Sequence, residues 1–91
     1  MGSALAAYQQ AMERMHGPMQ GIGHADPDVA FVLGMIPHHQ GAIDMAEIQL
    51  RHGRDEANRK LAAEIIAAQK HEIGEMREWL RQRNVPQPGG P

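Results

Sequence analysis

The sequence predicts an all-α fold, a small bundle of three main helices packed up and down. Three observations carry that expectation. Apolar residues recur at helical spacing in three long segments, and Gly- or Pro-containing links separate those segments. No stretch shows the strict alternation or hairpin turn of a strand, and no internal repeat is present. Ninety-one residues hold one hydrophobic core and no second.

The first helix is expected to begin after Ser3, a good N-cap, and carries Leu5, Tyr8, Met12, Met15 and Met19 on one face. Gly17-Pro18 should end or distort it. The second helix has a sharp start, with Asp26 as N-cap, Pro27 in the first turn and Asp28 beside it. It is expected to run to about His52, with Gly53 as a left-handed C-cap. Pro37 lies inside it and removes one backbone hydrogen bond, so the helix should kink there or split, which would make four helices. The third helix is predicted from about Asp55 to Arg83. Residues 1–83 then form the domain, and the Pro- and Gly-rich residues 84–91 read as a flexible tail.

Composition excludes several functions. The chain has 7 Met and 6 His but no Cys, so a thiolate zinc finger, a disulfide framework and a Cys nucleophile are all ruled out. A formal charge of −2 leaves no basic footprint for nucleic acid. No apolar run is long enough to span a bilayer, so membrane insertion is not expected. The start Met1-Gly2-Ser3 leads straight into a polar helix without a leader, as it would if a leader had been removed and this start had replaced it.

The Met and His residues gather when placed on helices. On the second helix Val32, Ile36, Ile43, Ala46 and Leu50 define the core side, with His39 near its edge. Met35, His38, Ala42 and Met45 form an adjoining stripe. On the third helix Gln69, Glu72 and Met76 fall within the apolar arc set by Leu61, Ile65, Ala68, Trp79 and Leu80. A short link at Gly53-Arg54 makes the two helices antiparallel, which sets Gln69 opposite His38 and His39, and Glu72 opposite Met35 and Ile36. An ionisable Glu in an apolar arc is costly unless it is paired or coordinated. Thioethers and imidazoles without thiolates suit copper, above all Cu(I). Met12, Met15, His16 and Met19 of the first helix could add soft ligands. Glu72 or Gln69 could instead accept a hydrogen bond from the second nitrogen of a ligating His, or serve as a ligand. The competing reading takes Met at these spacings as adaptable core filler, and His52 and His71 as surface residues.

The stretch Met35-Ile36-Pro37-His38-His39-Gln40-Gly41-Ala42-Ile43-Asp44-Met45-Ala46 resembles the DUF305 family. The likeness continues in Ile65-Ile66-Ala67-Ala68-Gln69, Glu72-Ile73, Met76 and Trp79-Leu80, and upstream in Asp26-Pro27-Asp28 with Phe31. It implies a ferritin-like helical bundle, usually exported, whose best understood members are periplasmic copper-binding proteins of the CopM type. Carried over by position, it implies copper ligands at Met35, His38, His39 and Met45, and at Met12, Met15 and Met19. Gln69, Glu72 and Met76 match its second motif, and Met76 is expected among the metal ligands with Met35, His38, His39 and Met45.

The expected function is therefore binding of Cu(I) for sequestration or transfer, in a periplasmic or otherwise exported setting, with no enzymatic step. The expected partners are the metal ion, copper-exchange proteins and a second copy in a homodimer. One alternative is a metal-free helical module that dimerises. Another is a His/Glu site for zinc or iron, although only Glu13 and His16 show the Glu-x-x-His spacing of di-iron bundles.

Overall fold

The computed structural model describes residues 3–19 and 25–87, with side chains at residues 4–14 and 25–87. It contains three helices: α1 (Ser3–Met19), α2 (Pro27–His52) and α3 (Glu56–Gln82). No strand occurs among the described residues, and none of these helices is long and apolar enough to cross a membrane.

Helix α2 starts where Asp26 accepts a hydrogen bond from the Asp28 amide at 2.9 Å, with Pro27 in the first turn. This satisfies one orphan donor and places the missing proline N–H where none is needed. The helix then runs without interruption through Pro37, so neither a split nor a fourth helix forms. Helix α3 opens in the same way, with the Asp55 carboxylate accepting from the Asn58 amide at 2.9 Å.

Between them the chain turns in three residues, and Gly53 is not the left-handed cap the sequence suggests. Its φ of −79° and ψ of 158° are extended. Glycine is needed there for space: a Cβ at Gly53 would fall 2.7 Å from the Gln49 carbonyl oxygen and onto the Gln49 side chain. Arg59 closes the turn from α3, donating to the carbonyls of Leu50 at 2.5 Å and Gly53 at 3.1 Å. Those acceptors would otherwise be left open at the end of α2. Gly53→Ala is expected to destabilise the fold by about 1–3 kcal/mol, the usual cost of forced overpacking, measurable by urea denaturation.

Helix α2 is the centre of the molecule. It packs against both α1 and α3, and among the described residues those two do not pack on each other. At 100° per residue, the buried positions of α2 divide between two nearly opposite sides. Val29, Val32, His39, Ile43 and Ala46 face α3, whereas Gly34, Gly41 and Ile48 lie on the side of α1. Among the described side chains of α1, Ala11 is buried, while Leu5 and Met12 are 65% and 48% exposed. An ion pair from Arg14 to Asp44 at 3.4 Å fixes α1 on α2.

The C-terminal end also differs from a free tail. Asn84 takes a positive φ of 56°, its amide donates to the Arg81 carbonyl at 3.0 Å, and Val85 donates to Leu80 at 3.1 Å. That is the Schellman arrangement, in which the residue after the left-handed one packs on the last turn. Val85 indeed packs against the cluster of Val29, Val32 and Leu80, and Gln87 donates to the Arg77 carbonyl at 3.2 Å. Residues 85–87 are thus docked on the bundle; the remainder of the expected tail lies outside the described residues.

Candidate functional site

His39 and Glu72 meet across the α2–α3 interface, with Nε2 of His39 2.6 Å from Oε1 of Glu72. Side chains on the two antiparallel helices lean toward their own N-termini and so toward each other, and Glu72, one turn beyond Gln69, is the residue that reaches His39. His39 is 8% exposed, whereas the Glu72 side chain is half-exposed and reaches the interface from its rim. A carboxylate only accepts, so Nε2 carries the proton that Glu72 receives. The other ring nitrogen, Nδ1, is buried and has no hydrogen-bond partner. In the neutral ring it holds a lone pair in a low-dielectric setting, the form in which imidazole binds a metal.

His38, the next residue, points elsewhere. The two rings are 6.4 Å apart between centroids and tilted by 59°. His38 is exposed, on the side of α2 that neither α1 nor α3 covers. Phe31, Met35, His38, Ala42, Met45 and Gln49 share a sector of about 80° there. Phe31 is 64% exposed and Met45 47%. Leu5, Tyr8 and Met12 of α1 border this sector on one side and Leu61 and Ile65 of α3 on the other. A groove of about 290 Å³ lies between, lined by Tyr8, Ala42, Met45, Leu61 and Ile65. The opposite open sector of α2 reads Leu33, Gln40, Asp44, Glu47 and Arg51. One face of the molecule is thus thioether-rich and apolar, and the other polar.

The structure accordingly brings together some of the residues singled out from the sequence and separates others. Met35, His38 and Met45 share the open face, and Met12 borders it from α1. His39 and Glu72 form a buried pair behind it. Met76 is half-buried and packs with Val29, Val32 and Leu80 as part of the core. Gln69 is half-buried on α3, one turn before Glu72. The side chains of Met15, His16 and Met19 lie outside the described residues. Among the described residues no three of His, Asp and Glu gather as a metal-holding group, so donors for a hard or borderline ion do not converge. Sequence reasoning put Met35, His38 and Met45 on one stripe but missed that Phe31, 64% exposed, shares their sector.

A three-helix domain with a paired buried histidine and an open thioether–imidazole face defines the class. The chain belongs to the DUF305 family, described as a domain of unknown function, whose model matches residues 28–91. It is also similar to an uncharacterized protein, L153, of Acanthamoeba polyphaga mimivirus, at 38% identity over 58 residues. That match covers 64% of this chain and 38% of the viral protein, so the chain spans well under half of its relative's length.

Proposed function

We propose that the domain binds a soft metal ion, Cu(I), to sequester it or pass it on, through the thioethers and imidazoles of α2. The observation that carries the reading is the exposure of methionine on the same face as His38. Met76, half-buried, packs into the core, whereas Met12 and Met45 are about half-exposed away from it and Met35 stands one turn from both histidines. Methionine sulfur cannot be protonated and prefers copper over zinc or iron. The residues proposed as copper ligands are Met35, His38, His39 through its unpartnered Nδ1, and Met45, with Met12 bordering the same face. Met35 and His38, one turn apart, can share an ion, and Met45 lies two turns further along α2. Met15, His16 and Met19 are a further soft group on α1, and Glu72 fixes the tautomer of His39. The chemistry is binding and exchange rather than turnover, in an exported compartment.

Cu(I) titration against a competing chelator tests this reading. Met45→Leu and His38→Ala should each weaken binding about tenfold or more, the loss of one ligand, with no change in helicity. X-ray absorption of the complex should report sulfur as well as nitrogen in the first shell. Unchanged affinity in both variants rejects the site. A metal-free interaction module is the second reading, favoured by the exposed Phe31, Leu5 and Leu61. It predicts that copper leaves the melting temperature unmoved.

A further inference from the structure

The thioethers of α2 fall at two levels. Met35 and His38 are three residues apart and can converge on one ion. Met45 lies seven residues beyond His38, about 10.5 Å along the axis, and side chains on a helix lean the same way, toward its N-terminus. Metal–ligand bonds of about 2.0–2.3 Å do not close that gap. Met45 therefore needs a partner from another helix, and the contacts between α1 and α2 show which residue stands beside it. Arg14 pairs with Asp44 at 3.4 Å, and Tyr8 lines the same groove as Met45 and Gln49. Residue numbers thus fall along α1 as they rise along α2, so the two helices run antiparallel. Met12, between Tyr8 and Arg14, comes level with Met45, between Asp44 and Gln49. A step of 100° turns Met45 away from Asp44 toward the groove, and Met12 shares the side of α1 that carries Tyr8. Each is about half-exposed, Met12 at 48% and Met45 at 47%.

We infer that one chain holds two Cu(I) ions at separate places. One lies between Met35 and His38; the other is a thioether site at the α1–α2 seam, held by Met12 and Met45 beside the ring of Tyr8. The division rests on the copper reading and goes beyond it in the number of ions and in the ligands of each. The chemistry of the seam suits a soft monovalent cation. Neutral sulfurs bring no charge into a groove whose other walls include Ala42, Ala46, Leu61 and Ile65, and thioethers select Cu(I). The Tyr8 ring lines that groove one turn before Met12, and the negative face of a phenol ring attracts a cation. The two sites also differ mechanically. An ion at the seam ties α1 to α2, whereas an ion between Met35 and His38 is held within α2 alone.

Isotope-labelled methionine methyl groups report each thioether separately by magnetic resonance as Cu(I) is added to the full chain. The wild type should take up two ions, with the Met12 and Met45 methyl signals shifting together in one step and that of Met35 in another. Met12→Leu and Met45→Leu should each remove the same ion, leaving one bound and the Met35 signal still responsive. His38→Ala should remove the other ion and leave Met12 and Met45 responsive. Met12 and Met45 are half-exposed and leucine is of similar bulk, so these variants keep the fold, which circular dichroism checks. Filling the seam should also slow amide exchange in α1 of the wild type and not of Met12→Leu. A single ion lost equally in Met45→Leu and His38→Ala overturns the second site. So does a Met12 signal that stays still while that of Met45 shifts. No uptake of Cu(I) by the wild type would reject the copper reading itself, and both sites with it.

Discussion

Leu80→Ala is expected to lower the melting temperature by about 10–25 °C. Leu80 is fully buried and belongs to the cluster with Val29 and Val32 that ties the end of α3 to the start of α2. Leu→Ala at such a site removes about 2–5 kcal/mol, part of it transfer energy and part the cavity left behind. A domain of this size has only about 5–13 kcal/mol in total. The effect is larger here because Leu80 has a second task. Its carbonyl accepts from Arg83 and Val85, and its side chain supports the packing of Val85 that closes the Schellman turn. Loss of the side chain therefore loosens residues 85–87 as well. Calorimetry measures the shift, and hydrogen exchange at the Val85 amide should rise before the rest of α3 exchanges. A melting temperature within a few degrees of wild type would show that this end of the bundle does not contribute to cooperative folding.

The helices were legible in the sequence because their ends use local chemistry. Asp26-Pro27 and Asp55 act on amides two or three residues away, and no tertiary contact is needed to recognise them. The antiparallel hairpin and the nearness of His39 to the Gln69–Glu72 segment followed from the short link. Which side chain of that segment reaches His39 was less legible, because it depends on the lean of side chains between antiparallel helices, and Glu72 is the one that does. On α1 the row of Leu5, Tyr8 and Met12 was legible as one face, but only the structure shows that it borders the open face of α2 while Ala11 is buried. At the candidate site the helical wheel already set His39 at the edge of the core side and His38 on the adjoining stripe. What it could not give is the partner each ring finds, which depends on the facing helix.

Substitutions at His39 and Glu72 are expected to separate packing from metal chemistry. In the metal-free protein, Glu72→Ala should cost about 1–2 kcal/mol, because it leaves both nitrogens of a buried ring without protein partners. The half-exposed carboxylate keeps the figure at the low end, since water reaches that rim. Glu72→Gln retains an oxygen that can accept from Nε2, so its stability should stay within about 1 kcal/mol of wild type. His39→Leu removes the polar atoms altogether, Nδ1 included, and a buried ring with an orphaned nitrogen gives way to hydrocarbon of similar bulk. That variant should be neutral or more stable, as when both partners of a buried polar pair are replaced by apolar groups. Copper affinity should follow the opposite order. Glu72→Gln should lose about 10–100-fold, since the carboxylate orients the ring and raises the basicity of the ligating nitrogen. His39→Leu should lose at least as much despite its better stability. A stable His39→Leu protein with undiminished Cu(I) affinity would leave His39 as a packing residue and restrict the ion to the thioether face.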